Sequence, residues 1–442
     1  MNTVGIRLDS MRRTILMRLR SGIIRQLRRA GKSGRRSRNM NNNAYRISPL
    51  RDFLRRESTG AAVLASATVV ALVLANSPLR DEYHRFFDRY LTIGTGELAV
   101  KLSVHHWIND ALMTVFFLVV GLEIKREIAV GQLSTRKRLA LPLVAALGGM
   151  VLPALVYLSV SRGAFAAGWG VPMATDIALA VGVLSALGAR VSAGARVTLL
   201  GLAIVDDIGA IIVLALFYSS GVSLSWLLAA ATAVAAVLTA RRFQVPTTAI
   251  YVVLGCILWY TMQRSGVHPT LAGVAMGLLA PVTPKRDTRL VDAEESDAPG
   301  SVSVVEWLQH LLHPWSSIVV VPLFALANAG VTISADTLEA AVSSPVAQGI
   351  FCGLAFGKPI GIAAFTLIGR RAGILEFSPG LTTRRMIGIG HVAGIGFTVA
   401  MFIAELAFDS PELRESATIA ILAASFLSAL IGVLTLRFAG QE

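Results

Sequence analysis

The stretch GLAIVDDIGAIIVLALF, residues 201–217, is an apolar run interrupted by two adjacent carboxylates, Asp206 and Asp207. Its length approaches the roughly 20 apolar residues that cross a bilayer as an α-helix. A charged side chain at the centre of such a helix costs about 2.5 to 3.5 kcal/mol, so the pair requires water, a cation, a proton or a partner. The stretch therefore predicts a membrane span with a functional acidic centre, and a purely structural role for the pair is the alternative.

The composition of the whole chain also indicates a membrane protein. Its 442 residues are 54% hydrophobic and 15% charged, with a mean hydropathy of +0.64, which is too apolar for an ordinary soluble domain. We predict an all-α polytopic membrane protein with about 12 transmembrane helices. The predicted spans are 59–77, 107–123, 139–161, 170–188, 197–219, 223–240, 247–264, 268–282, 313–330, 346–369, 386–408 and 416–436.

The distribution of Lys and Arg predicts the orientation of these spans. With the N-terminus inside, 17 Lys and Arg fall at predicted cytoplasmic loops and ends after residue 56, and 7 fall outside. This asymmetry follows the positive-inside rule and predicts a multi-pass protein with both termini cytoplasmic. A polar cytoplasmic loop over residues 283–312 separates the first eight spans from the last four.

The net charge of +14 belongs entirely to residues 1–56, which contain 16 Lys and Arg but only two acids. Residues 57–442 form the predicted transmembrane domain. The basic tail is interpreted as a disordered cytoplasmic segment that helps to orient the protein. Binding to anionic lipid and a transit peptide are the alternatives, whereas nucleic-acid binding fits a membrane anchor least.

One basic side chain, Lys358, lies deep inside a predicted span and is a candidate partner for the acids. A buried ammonium group needs a carboxylate as much as the carboxylate needs it. Pro359 follows directly and removes a backbone donor, which locally interrupts the helix. The two cysteines lie in predicted spans without a disulfide or metal-ligand pattern, and no cofactor is predicted.

Spans 4 and 11 look interrupted near their centres. GWGVPMATDIALAVG (168–182) contains Pro172, Thr175 and Asp176, and GIGHVAGIGFTVAMF (388–402) contains four glycines. If residues 139–219 correspond to residues 346–436, a displacement of seven spans reverses the direction of the second set. We therefore predict inverted-topology repeats with two discontinuous crossing helices, although the glycines could instead serve close helix packing.

The ends of the interrupted helices would carry partial charges. The N-terminal ends meet on one side of the crossing and carry partial positive charge, while the C-terminal ends carry partial negative charge. Asp176 and Lys358 are the candidates to neutralise them. A simple helix cap is the alternative for Asp176, and a structural salt bridge is the alternative for Lys358.

At these residues the chain closely resembles the NhaA family of bacterial sodium/proton antiporters, from about residue 58 to the C-terminus. The stretches that carry the resemblance are WINDALMTVFFLVVGLEIKRE (107–127), PMATDIALAVGVLSALG (172–188), LAIVDDIGAIIVLALFY (202–218), SGVHPTLAGV (265–274), HPW (313–315), PLFALANAGV (322–331), GKPIGI (357–362) and GIGFTVAMFIAELAF (394–408).

The resemblance implies a transporter, not an enzyme, in the bacterial plasma membrane. Such antiporters expel Na+ or Li+ in exchange for more than one proton by alternating access, and they serve pH homeostasis and salt tolerance. Asp207 would be the principal cation and proton site, with Asp206 as the neighbour that pairs with Lys358. Asp176, with Thr175 beside it, would compensate the helix dipoles, and Asp110 would be a further functional acid.

The family also senses pH through a cytoplasmic cluster of acids and histidines. The matching residues here are Glu123, Arg126, His268, His310 and His313. An ordinary surface ion pair for Glu123 and a helix cap for His268 are the alternatives. Where the family commonly has an acid before the first paired histidine, this chain has Gln309, and Glu306 one turn earlier is the candidate substitute.

A small β-hairpin is predicted outside the membrane core. RYLTIGTGELAVKLS (89–103) alternates apolar and polar residues around Gly94, Thr95 and Gly96, which is typical of a hairpin. Family members dimerise through such a hairpin, so we expect a homodimer; an isolated loop is the alternative.

A cation channel and an intramembrane aspartic protease are the two alternative classes of function. A cation channel could use the same buried acids but would not require proton competition. An intramembrane aspartic protease needs two acids from different helices and a GxGD pattern, whereas these acids are neighbours on one predicted helix.

Overall fold

The computed structural model of the chain describes residues 58–94, 96, 99–131, 136–161, 165–219, 221–245, 247–282, 284–285, 302–375, 377 and 381–439. The predictions for the basic tail, residues 1–56, and for much of the loop at 283–312 lie outside these described residues.

The described part of the chain is mostly α-helical. Helices α1 to α8 are Ser58–Ala75, Arg80–Asp88, Val104–Ala129, Arg136–Ser161, Ile177–Leu187, Ala193–Phe217, Leu224–Arg242 and Thr248–Ser265. Helices α9 to α15 are Leu271–Leu279, Val304–Asn328, Ala335–Ser343, Pro345–Arg371, Thr383–Ala393, Phe397–Ala407 and Pro411–Phe438. The strands are β1 (Tyr90–Ile93), β2 (Val100–Ser103), β3 (Pro284–Lys285) and β4 (Val302–Ser303). A 3₁₀ helix, Ala166–Met173, precedes α5.

The helices confirm a polytopic α-helical membrane protein. Among the described residues, nine helical segments are long and apolar enough to cross a membrane, and α13 with α14 adds a tenth span bent by 50°. Helices occupy each of the twelve stretches predicted as spans, but α8 and α9 are not among those ten. The exact number of spans therefore stays a prediction, as does the inverted-repeat relationship.

Two of the predicted spans change backbone conformation near their centres. In the first, the 3₁₀ helix ends at Met173 and α5 begins only at Ile177. In the second, α13 ends at Ala393 and α14 begins at Phe397. The backbone N–H of Asp176 in the first break donates to the carbonyl oxygen of Ile395 in the second at 2.7 Å. Each break thus supplies hydrogen-bond partners for backbone that no helix satisfies.

Helices α4 and α12 approach each other backbone to backbone at two glycines. A Cβ atom at Gly148 would overlap the carbonyl oxygen of Gly361, and a Cβ atom at Gly361 would overlap the carbonyl oxygen of Gly148. Small residues allow this close approach, which is typical of packed membrane helices. Gly361 lies about one turn beyond Lys358, so this contact helps to position Lys358.

The segment between α1 and α3 lies outside the membrane-spanning helices. Strands β1 and β2 pair in antiparallel register from Tyr90–Ser103 to Ile93–Val100. The hydroxyl of Tyr83 on α2 donates to the carbonyl oxygen of Leu326 on α10 at 2.5 Å. Burial raises the pKa of Tyr83 to about 12, so the phenol stays a hydrogen-bond donor throughout the physiological pH range.

We predict that Gly361→Ala lowers the free energy of unfolding by about 1 to 3 kcal/mol, because the added methyl group must separate α4 from α12. Thermal unfolding of the detergent-solubilised protein measures the change. Gly255→Ala is the control, since its Cβ would meet only Met276 at an ordinary distance of 3.7 Å. Equal melting temperatures for the two variants would contradict the close approach.

Candidate functional site

Helix α6 carries the adjacent acids at its centre. The helix begins after Ser192, whose hydroxyl accepts a hydrogen bond from Ala195 N at 3.2 Å, and it continues through an apolar sequence. Asp206 is only 1% exposed and Asp207 is 7% exposed. Neighbours on a helix point about 100° apart, so the two carboxylates have different surroundings.

Asp206 forms a buried ion pair with Lys358. The Lys358 Nζ lies 2.6 Å from Asp206 Oδ2, and no part of the Lys358 side chain is exposed. The same ammonium group donates to the carbonyl oxygen of Met173, at the end of the 3₁₀ helix. Lys358 follows a π-helical turn, Gly353–Gly357, in α12. The basic residue predicted from its depth in the membrane therefore contacts one of the two predicted acids.

Thr175 connects this pair to both interrupted spans. Its hydroxyl donates to Asp206 Oδ2 at 2.6 Å and lies 2.9 Å from the carbonyl oxygen of Ala393, where α13 ends. Oδ2 of Asp206 therefore receives two donors, one from the first break and one from α12.

The second carboxylate oxygen of Asp206 remains available to a proton or a cation. Asp206 Oδ1 is buried and has no hydrogen-bond partner among the described residues. The Asp207 side chain likewise makes no hydrogen bond or ion pair within the part of the chain that the structure describes. A buried carboxylate oxygen without a donor is costly. Such an oxygen can accept a proton or contribute to the coordination of a small hard cation.

Asp176 lies where the two interrupted spans meet. Its Oδ1 accepts the backbone N–H of Leu179 in the first turn of α5 at 3.0 Å. Its Oδ2 accepts the backbone N–H of Thr398 at 3.2 Å and the Thr398 hydroxyl at 2.6 Å, at the start of α14. One carboxylate thus caps the N-terminal ends of two half-helices, where partial positive charge accumulates.

Asp110 belongs to a separate polar group on α3. Its Oδ1 lies 3.7 Å from His268 Nε2, and its backbone carbonyl accepts the indole N–H of Trp259 at 3.2 Å. The side chains of Asp110 and His268 line a cavity of about 300 Å³ with Phe402 and Glu405 of α14. His268 therefore lies near Asp110 rather than near Glu123, and its role in pH sensing stays a prediction. The two acids are 13 residues apart on α3, which is roughly 20 Å of helix.

The remaining residues predicted to sense pH lie on α3 and α10, which pack together through Leu122 and Val305. Glu123 is close enough to interact electrostatically with Asp207, and Arg126 pairs with its neighbour Glu127 at 3.2 Å. Of the α10 side chains, His310 is exposed and His313 is half-buried.

Glu306, the candidate to replace the acid that the family commonly has at position 309, forms the N-terminal cap of α10, and its role in pH sensing stays a prediction. Glu306 accepts the backbone N–H of Ser303 at 3.1 Å, and its own N–H donates to the Ser303 hydroxyl at 3.2 Å. This reciprocal capping box uses Glu306 to start α10. The amide oxygen of Gln309 is buried without a partner among the described residues.

Two polar groups near the site were not predicted from the sequence. Thr398 is the second residue of α14, and a polar residue in the first turn after the glycines Gly394 and Gly396 is the signal that could have identified it. Glu405 pairs with Arg414 and lies 3.9 Å from His105. An acid inside the predicted span 386–408 is unusual, and this was the available signal for Glu405.

Comparisons with known proteins agree on one family. The family model described as Na+/H+ antiporter 1 matches residues 51–436. The protein named Na(+)/H(+) antiporter NhaA of Anaeromyxobacter sp. (strain Fw109-5) is 45% identical over 88% of this chain and 91% of its own length. Proteins of the same name from Syntrophobacter fumaroxidans and Haemophilus influenzae (strain PittGG) are 41% and 39% identical, over 90% and 89% of this chain and 91% and 96% of their own lengths.

We predict that Lys358→Ala destabilises the protein by about 3 to 5 kcal/mol, because Asp206 would be left as a buried unpaired charge. The double variant Asp206→Asn/Lys358→Met removes both charges and should recover most of the loss. Thermal unfolding in detergent at one pH compares the two, with Lys101→Ala, at the exposed position of β2, as a control for the loss of one positive charge. A double variant no more stable than Lys358→Ala would contradict the importance of the pair.

Proposed function

The chain belongs to the NhaA family of Na+/H+ antiporters, and from this membership we propose that Na+ and protons compete for the Asp206–Asp207 centre. Secondary active Na+/H+ antiport is the activity of the family, whose members are transporters and not enzymes. The chain is a multi-pass membrane protein, and its relatives fit a location in a bacterial plasma membrane.

The observation that carries the proposal is the difference in hydrogen bonding between the two carboxylate oxygens of Asp206. Oδ2 already accepts from Thr175 and from Lys358, whereas Oδ1 is buried without a donor. Beside it, the Asp207 carboxylate makes no hydrogen bond or ion pair in the described part of the chain. Hard cations such as Na+ and Li+ prefer carboxylate, carbonyl and water oxygens. We therefore assign Asp207 as the principal ligand and Asp206 Oδ1 as its neighbour.

Competition at one centre also explains how exchange can be electrogenic. A centre that carries one cation outward with both carboxylates ionised, and returns with both protonated, moves two protons for each cation. One net charge then crosses the membrane in each cycle, and the membrane potential contributes about 2.3 kcal/mol per 100 mV. Asp176 and the two interrupted spans would provide the alternating access, since half-helices that meet at a binding site are typical of such transporters.

Regulation by pH is proposed for the end of α3 that faces α10. Glu123 interacts electrostatically with Asp207, so a change of charge around Glu123, Arg126, His310 and His313 would alter the cation affinity of the centre. Gln309 cannot titrate, so any sensor in this chain lacks a charge at that position. His268 acts with Asp110 in this proposal, at the other end of the helix.

A homodimer is proposed through the β1–β2 hairpin. Tyr90 is 70% exposed and Ile93 is 53% exposed, and both strands of a two-stranded sheet are open edges. Exposed apolar edge strands favour pairing with another chain. We further propose transport of Li+ and cytoplasmic termini, with the basic tail, residues 1–56, helping to orient the protein and binding to anionic lipid as the alternative.

We predict that Asp207→Asn abolishes the Na+-induced collapse of the pH gradient in everted membrane vesicles. An amide has nearly the shape of the carboxylate, but it neither carries charge nor binds an exchangeable proton. The signal should fall to that of vesicles without the protein. Asp336→Asn, in the exposed first turn of α11, removes one acid away from the centre and should exchange normally. Full exchange by Asp207→Asn would refute the assignment of this residue.

Competition further predicts that the affinity for Na+ depends steeply on pH. Each proton displaced by the cation weakens binding by about tenfold per pH unit in the range where the centre is protonated. Two displaced protons therefore give about 100-fold per unit. Isothermal titration of the purified protein with NaCl at several pH values measures the slope, and choline chloride controls for ionic strength. An affinity independent of pH over that range would exclude competition.

A further inference from the structure

Two tyrosines hold the 3₁₀ helix that leads into the first break. The Tyr157 hydroxyl on α4 donates to the carbonyl oxygen of Phe165 at 2.8 Å. The Tyr218 hydroxyl donates to the carbonyl oxygen of Ala167 at 2.5 Å and accepts the backbone N–H of Gly170 at 3.3 Å. Tyr218 directly follows α6. Hydrogen bonds of Tyr218 therefore connect the C-terminal end of α6, the helix that carries Asp206 and Asp207, to the neighbouring interrupted span.

The contact with Tyr218 depends on a glycine. A Cβ atom at Gly170 would lie 2.7 Å from the Tyr218 hydroxyl oxygen and 3.2 Å from Cε2 of the ring. The first distance is too short for any real carbon–oxygen contact of this kind. The absence of a side chain at Gly170 therefore allows the Tyr218 hydroxyl to approach closely enough to accept the backbone N–H.

The same 3₁₀ helix ends at a residue that accepts a hydrogen bond from Lys358. Met173, whose carbonyl oxygen accepts from Lys358 Nζ, is three residues beyond Gly170. At about 2.0 Å per residue, this is one turn of 3₁₀ helix. Thr175, which donates to Asp206 Oδ2, follows two residues later. A shift of Gly170 relative to α6 would therefore move two of the groups that contact the Asp206–Lys358 pair.

We propose that Tyr218 is a positioning residue for cation binding. Its hydroxyl forms hydrogen bonds with Ala167 O and Gly170 N. These bonds determine where the Met173 carbonyl and the Thr175 hydroxyl lie relative to Asp206. They thereby control how Lys358 is shared between Met173 O and Asp206 Oδ2, and so the affinity of the centre for Na+. This role deepens the proposed function and rests on it. Tyr218 itself contacts neither acid.

The direct test is Tyr218→Phe, which removes one oxygen atom and keeps the ring. The KM for Na+ in everted vesicles should rise by about 3- to 10-fold, the effect of losing one or two hydrogen bonds. The rate at saturating Na+ should change by less than twofold. Tyr260→Phe is the matched control, because its hydroxyl makes no hydrogen bond within the described residues and lies on α8.

A double-mutant cycle distinguishes positioning from a general loss of structure. Gly170→Ala alone should raise the KM for Na+ because its methyl group displaces the hydroxyl of Tyr218. In the Tyr218→Phe background the same change should have a smaller effect, since the oxygen nearest to the methyl group is gone. Independent, multiplicative effects of the two changes would overturn the proposed contact.

Na+ binding provides a readout separate from transport. The Na+ concentration that half-maximally raises the melting temperature of the purified protein should increase for Tyr218→Phe. If KM and this concentration match those of the unmodified protein while only the rate falls, the positioning role is wrong and the antiport proposal stands. If the unmodified protein exchanges no Na+, the proposed function fails, and the role of Tyr218 fails with it.

Discussion

The structure depends on the need to compensate charge in an apolar interior. Asp206 and Lys358 are both almost completely removed from solvent, and they meet at 2.6 Å. Removing two charges from water costs several kcal/mol each, and only a close pair with further hydrogen bonds offsets this cost. Thr175 and the Met173 carbonyl supply those bonds. The ion pair therefore joins α6, α12 and the first interrupted span at one point.

The backbone obeys the same constraint as the side chains. A helix that stops inside a membrane leaves N–H and C=O groups that lipid cannot satisfy. Here the two breaks are adjacent, so Asp176 N donates to Ile395 O and the Thr175 hydroxyl reaches Ala393 O. Asp176 completes the arrangement by capping α5 and α14 together. Irregular backbone is thus confined to the place where the ionisable groups lie.

The sequence predicted the features that follow from local cost and length. Apolar runs indicated the spans, and the insertion cost of Asp206 and of Lys358 indicated that they need partners. The family resemblance, rather than the residues alone, indicated which acid pairs with Lys358. Contacts between distant segments have no such local signal. His268 near Asp110, Glu306 in a capping box and Tyr218 against Gly170 all depend on where the helices come to lie in space.

The glycine contact between α4 and α12 has a mechanical consequence. At Gly148 and Gly361 the main chains of the two helices touch with no side chain between them, and a close-packed contact of this kind resists gradual sliding. Relative translation would first require them to separate. We therefore expect α4 and α12 to move as one rigid unit, so that any tilt of α4 displaces Lys358 with it.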